Sequence, residues 1–333
     1  MNVALIGLGG WGCRLVPKLL DHKGVEDLHC FDLDIARSEK VSQDFPAVKI
    51  ARSYTNILRD PRIDAVIIAT PVESHYRLAR QALEHDKHVF LEKPLTNSVD
   101  DAHRLVELAR SAKLVLMVDH ITVYSGAAQS IKKIIGSNAL GRLLYFDAAR
   151  TSLGMIQPDV SVIWDLAVHE FALIDYLLGE RPVGVSASGA AFYGTLEEIA
   201  FVTLFYKSGI IANVNVSWLA PVKKRELLIA GTEKMLVFDD LAADKKIRIL
   251  DRGIDLSVKS DGQESGIQYR DGDCKVLEYE GVEPLVAVFD EFFNAVSGER
   301  EPLTSGDTGA RCVQILAAAE ASIRQRGMFI RLP

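Results

Sequence analysis

Val3-Ala4-Leu5-Ile6-Gly7-Leu8-Gly9-Gly10-Trp11-Gly12 carries an apolar run straight into a G-x-G-x-x-G turn. Four branched or small apolar residues before a glycine-rich turn read as a buried strand, and the residues after it read as a helix. In such a unit Gly7 permits the tight turn, Gly9 lets the backbone approach a pyrophosphate, and Gly12 lets helix and strand pack closely. The phosphates then face the positive end of the helix, with Gly10 and Trp11 in the same turn. Asp32 lies twenty residues beyond Gly12, at the end of the next apolar run. A carboxylate there suits the hydroxyls of an adenosine ribose.

Working outward, short apolar runs recur at 3–6, 28–31, 65–70, 88–91 and 114–118, with amphipathic stretches at 11–20, 35–43, 76–84 and 99–112 between them. Continuous apolar runs of this length suit strands covered on both faces. The alternation predicts an α/β fold with a doubly wound parallel sheet. Pro17 sits inside the first predicted helix, where its missing N–H and its ring predict a kink. Beyond residue 120 the pattern changes: helices are expected at 125–135 and 164–178, strands at 143–150, 183–187, 199–206, 211–218, 226–230, 235–238 and 247–250, and late helices at 284–296 and 307–326. The expected division is a dinucleotide-binding domain over 1–119 and a substrate-binding and oligomerisation domain over 120–333. A chain of 333 residues exceeds the size at which single cores stop growing, which fits two domains.

Composition narrows the class. With 45 acidic and 38 basic residues the net charge is −7, which argues against a nucleic-acid binder. No apolar stretch is long enough to span a bilayer, so no membrane partner is expected. The first strand begins within six residues of Met1, leaving no room for a signal peptide, and the four cysteines are scattered without a C-x-x-C pair. The expected compartment is the cytoplasm.

Three further stretches bear on chemistry. Ala69-Thr70-Pro71, with His75 four residues on, follows a predicted strand at the edge where doubly wound sheets present ligands. Glu92-Lys93-Pro94-Leu95 does the same one strand later. In Trp164-Asp165-Leu166-Ala167-Val168-His169 the acid and the imidazole are four apart, so on a helix they share a face. A carboxylate on one ring nitrogen leaves the other free for proton transfer. His169-Glu170 begins like a zinc-protease motif, but the second histidine is replaced by Leu173, and no metal is expected.

With these pieces in order, the chain resembles the glucose–fructose oxidoreductase/inositol dehydrogenase/MocA family nearly end to end. The likeness rests on the Gly7–Gly12 turn, Ala69-Thr70-Pro71 with His75, Lys87-His88-Val89-Phe90-Leu91-Glu92-Lys93-Pro94-Leu95, and Asp165-x-x-x-His169. The resemblance implies an N-terminal Rossmann-type domain and a C-terminal α/β domain with a large open, mostly antiparallel sheet. It implies NAD as cofactor, with NADP disfavoured by Asp32, and Lys93 and His169 meeting over the nicotinamide, with Asp165 orienting His169. Glu92, Thr70, Pro71 and His75 join the cofactor-binding set. The segment from Leu153 to Val160 looks like members acting on nucleotide-linked or N-acetylated sugars, and Tyr124, Arg150, Gln157 and Asp159 are candidate sugar or phosphate contacts. Polyol dehydrogenases of the family often carry an Asp where this chain has Ala172, which counts against an inositol-type substrate. Where relatives hold Gly before His88, this chain has Asp86, a residue that tolerates left-handed backbone.

The expected activity is hydride transfer between a secondary alcohol of a sugar, or of a sugar nucleotide, and a nicotinamide. An NAD-dependent glycosidase using transient oxidation and a non-catalytic nucleotide sensor are the alternatives. A homodimer or homotetramer is expected through the C-terminal sheet, with Val214, Val216 and Trp218 as a candidate apolar patch.

Overall fold

The structure, a computed structural model, describes residues 1–257, 266–298 and 300–333. In chain order the elements are β1 (Asn2–Ile6), α1 (Gly12–Leu20), β2 (Asp27–Phe31), α2 (Ile35–Asp44), β3 (Lys49–Ile50), α3 (Tyr54–Arg59), β4 (Ile63–Ile68), α4 (His75–Leu83), β5 (His88–Glu92), α5 (Val99–Ala112), β6 (Leu116–Asp119) and α6 (Gly126–Gly136). They continue as β7 (Leu143–Leu153), α7 (Val168–Leu178), β8 (Pro182–Ala190), β9 (Ile199–Tyr206), β10 (Ile211–Ser217), β11 (Leu219–Gly231), β12 (Met235–Asp239), β13 (Ile247–Ser257), β14 (Gly266–Leu277), α8 (Pro284–Val296), α9 (Gly306–Arg324) and β15 (Ile330–Arg331).

The chain divides into two compact units, one formed by 1–125 with 282–314, the other by 126–281 with 315–333. The first unit holds a parallel six-stranded sheet in the order β3-β2-β1-β4-β5-β6, the doubly wound arrangement expected from the apolar runs. Its order reverses between β1 and β4, so the glycine turn after β1 and the Thr70 turn after β4 open at the crevice where such sheets bind ligands. β1 and β4 are buried almost throughout, as continuous apolar strands must be when helices cover both faces. α1 continues through Pro17, and the Asp21 amide donates to the Pro17 carbonyl. Asp86 takes φ +58°, the left-handed backbone anticipated for it. A single division near residue 120 misses that α8 and the start of α9 belong to this unit. Phe289 and Phe292 of α8 pack on Phe90 of β5, and the Thr304 carbonyl accepts from Val118 N–H.

The second unit is built on a nine-stranded, mostly antiparallel sheet, β14-β13-β12-β11-β7-β10-β9-β8-β15, in which β10 and β7 pair parallel. Period-two alternation in β9 and β10 gives the sheet unlike faces. One face is covered within the unit, and there the expectation for the apolar patch is corrected: Val214, Val216 and Trp218 are buried among the unit's own elements. The opposite face presents Asn213 and Asn215 together with the half-exposed Tyr145, Phe201 and Ile211. Register decides this, because a shift of one residue exchanges the two faces.

Candidate active site

Each unit carries its own set of candidate residues. In the first, Gly7 has φ +95°, and a Cβ there would lie 2.5 Å from the Ala69 carbonyl oxygen. A Cβ on Gly12 would lie 2.0 Å from the Gly7 oxygen, so neither position admits a side chain without moving backbone. Gly10 has nothing within 4 Å of its Cβ position, and Gly9 meets only the Arg37 guanidinium at 3.8 Å. That open cradle, at the start of α1, fits a pyrophosphate. Asp32 is tied to it: Oδ2 accepts from Leu8 N–H at 2.7 Å and Oδ1 from Asp34 N–H at 2.8 Å, with Arg37 Nη1 3.6 Å from Oδ2.

The next two turns are pinned to each other. His75 is buried; its Nδ1 lies 2.9 Å from the Pro94 carbonyl and its Nε2 2.8 Å from the Thr70 carbonyl. Burial holds its pKa below the ordinary imidazole value, the two carbonyls opposing. Thr70 Oγ1 lies 2.6 Å from Ser74 Oγ. Lys93 follows β5 half-buried, and the Lys93–Pro94 peptide is cis. Beside it, Trp11 Nε1 donates to Glu92 Oε1. Glu92 and Asp119 are register partners at the ends of β5 and β6. Burial, and then the Asp119 carboxyl, push the Glu92 carboxyl well above the usual range; burial also raises Asp119. His120 is fully buried and held neutral, its pKa lowered to about 3 by burial and then by the Lys93 and Arg311 charges. Tyr124 is buried, its hydroxyl 2.9 Å from Thr304 Oγ1, which in turn donates to the Val118 carbonyl at 2.7 Å.

In the second unit a π-helical turn, Ile163–Ala167, leads into α7. Such turns re-aim side chains and gather at functional sites. Asp165 lies in this turn and His169 in the first turn of α7, both half-buried. Trp218 Nε1 donates to Asp165 Oδ2 at 3.3 Å and Trp164 Nε1 to Glu320 Oε1 at 2.7 Å. Arg150 Nε donates to Glu170 Oε1 at 2.6 Å, with the two side chains only 13% and 5% exposed. That pair fastens the helix bearing His169 to β7. Gln157 lines a cavity of about 320 Å³ with Ile156, Pro158, Gly194, Thr195 and Leu196, while Asp159 is exposed.

Sequence reasoning passed over Asp119, Glu170 and Trp218 as site residues. Asp119 and Trp218 close strand runs and looked like ordinary ends; Glu170 was weighed only as part of a failed zinc motif. The signal the sequence offers for Glu170 is an acid directly after a candidate base.

Two family models match the chain: an oxidoreductase family with an NAD-binding Rossmann fold over residues 1–120, and the GFO/IDH/MocA C-terminal domain over residues 128–237. The UDP-N-acetylglucosamine 3-dehydrogenase of Acidithiobacillus ferrooxidans is 28% identical over 271 residues, covering 79% of this chain and 81% of that protein. The scyllo-inositol 2-dehydrogenase (NAD(+)) of Bacillus subtilis is 26% identical over 234 residues, covering 66% and 68%. Among solved structures, an oxidoreductase from Agrobacterium radiobacter in complex with NAD+, L-tartaric acid and magnesium superposes with a TM-score of 0.82 at 21% identity, over 99% of this chain and 98% of that one.

Proposed function

Because the chain belongs to the GFO/IDH/MocA oxidoreductase family, we propose that it oxidises a secondary alcohol of a nucleotide-linked or N-acetylated sugar, or reduces the corresponding ketone. The observation that carries this reading is the open Gly9-Gly10 cradle with Asp32 locked to it, on the sheet edge that also presents Lys93. Bound NAD supplies the hydride acceptor. His169 takes the hydroxyl proton, the general-base role for which an imidazole is the commonest side chain. Asp165, itself held by the Trp218 indole, orients His169. Lys93 holds the substrate oxygen as charge develops on it. His75 fixes the turns that carry Thr70, Pro71 and Lys93.

The sugar-nucleotide assignment draws on the Acidithiobacillus relative, which acts on UDP-N-acetylglucosamine by its name, and on Ala172. Gln157 and Asp159 are assigned to substrate contact. Tyr124 and Arg150, expected as sugar or phosphate contacts, have their polar ends engaged with Thr304 and Glu170 of their own units. Asp32 selects NAD over NADP because a carboxylate repels a 2′-phosphate. The free cysteines among the described residues suit a reducing cytoplasm. The half-exposed Tyr145, Phe201 and Ile211 suit a homodimer or homotetramer formed through the nine-stranded sheet.

The test is kinetic. On a panel of UDP- and dTDP-sugars, His169→Ala should lower kcat by about 10²–10⁴-fold while NADH binding persists. Lys93→Met should cost at least as much. Near-normal turnover by folded His169→Ala would remove it from the mechanism, and release of nitrophenol from nitrophenyl glycosides without net NADH would favour a glycosidase. Comparable dissociation constants for NADH and NADPH would remove the role given to Asp32. Light scattering at 36.7 kDa would exclude the oligomer.

A further inference from the structure

The proposed chemistry leaves two acids without a task. Glu92 closes β5 and Asp119 closes β6, and the parallel register sets them directly beside each other. Asp119 is 2% exposed, and the hydrogen-bonding groups that act on its carboxyl are the Glu92 side chain and the Ile121 amide. The groups that act on the pair come from several elements of the first unit. Lys93 follows Glu92 on the same strand end, and the Ile121 amide acts on Asp119. Trp11 of the glycine turn donates to Glu92, and Tyr124 feels the Asp119 charge. His120 is the next residue, with Arg311 of α9 acting on it, but burial keeps its ring uncharged. One ammonium therefore faces two carboxyl groups.

Asp119 is buried and Glu92 half-buried, and two carboxyls set side by side with so little water around them do not both ionise. If one keeps its proton, its O–H donates to the other, a short charge-assisted bond between neighbouring strand ends. We propose that Glu92 and Asp119 hold a single proton between them and serve as a positioning pair, presenting one net negative charge that anchors the Lys93 ammonium while the Trp11 indole ties the pair to the dinucleotide turn. The function given to the pair rests on the reading of Lys93 and of the glycine turn above; the shared proton does not. The raised titration of both acids agrees with it. Loss of the shared proton at alkaline pH places a second negative charge beside the turn that is to receive a pyrophosphate, and cofactor binding weakens.

Infrared difference spectroscopy of the cofactor-free protein in heavy water tests the proton directly. Wild type should show a protonated-carboxyl band at neutral pH that disappears at alkaline pH, and the band should be missing at neutral pH from both Asp119→Asn and Glu92→Gln. No such band in wild type, or a band that survives in either variant, overturns the pair. If one amide variant does not fold, the wild-type titration and the other variant decide. The positioning role is read from NADH binding by tryptophan fluorescence across pH. The wild-type Kd should rise roughly tenfold through the alkaline step, as for one unit of pK difference, and Asp119→Asn should lack that step. A step retained in Asp119→Asn, or none in wild type, overturns the role. Wild type that binds no NADH at any pH would instead overturn the cofactor reading and leave the infrared result standing.

Discussion

Glu198 in the second unit and Glu92 in the first are the same side chain, sheltered at the end of a sheet strand, with opposite surroundings. The Glu198 carboxylate accepts from the backbone N–H groups of Phe192, Tyr193 and Gly194 at 2.6–3.0 Å. Burial pushes its pKa up, but the three amides outweigh burial and hold it below the usual carboxylate value. Glu92 is pushed up by burial and pushed further by Asp119, which the single Trp11 indole does not offset. The difference lies in what faces the acid: fixed donors make it a permanent anion, and a second acid makes it a proton store. The second unit repeats the first solution throughout, with Arg150 for Glu170, Trp164 for Glu320 and Trp218 for Asp165. Its acids brace the helix that carries His169. In the first unit Glu92 and Asp119 instead face each other beside Lys93.

The sharpest way to break this contrast is to remove a donor from the second unit. Arg150→Ala leaves Glu170 buried and unpaired at the base of α7, and should cost roughly 3–5 kcal/mol of stability. The measurement is chemical unfolding followed by circular dichroism, with Glu170→Gln and the double variant closing the cycle. A loss below about 1 kcal/mol would place the pair among ordinary surface ion pairs and end its claim to brace the helix.

A smaller effect is expected where a neutral donor is lost. Trp164→Phe keeps most of the ring and removes the N–H that reaches Glu320, whose carboxyl burial already pushes up; Arg324 at 3.6 Å still partners it. About 1–2 kcal/mol should be lost. Glu320→Gln in the same background should restore part of it, since an amide does not need the missing donor as a buried charge does.

How much of this was legible depended on whether backbone or side-chain surroundings set the residue type. Gly7 and Gly12 were readable because a Cβ at either collides with backbone, so the fold admits only glycine there. β1, β4 and β5 are readable because each carries a continuous apolar run, at 3–6, 65–68 and 89–91, as strands covered on both faces do. β14 is not: Gly266-Ile267-Gln268-Tyr269-Arg270-Asp271-Gly272-Asp273-Cys274 is charged enough to read as a loop and becomes a strand only by pairing with β13. The face occupied by Val214 and Val216 follows from register with β7 and β9, which alternation alone leaves open. The return of α8 to the first unit depends on contacts such as Phe90 with Phe289, far apart in sequence. Of the candidate site, Asp32 is proposed from its spacing to Gly12, Lys93 from its Glu and Pro neighbours after a strand, and His169 from its i,i+4 relation to Asp165 and the family resemblance. Asp119 offers no such sign, because an acid after an apolar run is the commonest of strand ends, and only the neighbouring strand shows that Glu92 faces it.

The finest test compares the two kinds of acid through pH, using amide substitutions of nearly equal shape. For Glu198 the folded pKa is lowered, so its contribution is present above the unfolded value of about 4 and is lost as pH falls through the folded one. Glu198→Gln should therefore be most harmful near neutral pH and progressively less so in acid. For Asp119 the folded pKa is raised, so the favourable protonated state is fully present below about 4 and is lost as pH rises through the folded titration. Asp119→Asn has no proton to lose, and its melting temperature relative to wild type should climb as pH rises, by an amount worth on the order of 1 kcal/mol. The two differences should slope in opposite directions, Glu198→Gln below about pH 4 and Asp119→Asn above it. Parallel slopes would mean that Asp119 is held as an anion by donors, as Glu198 is, and the contrast between the two regions would fail at the residue on which it turns.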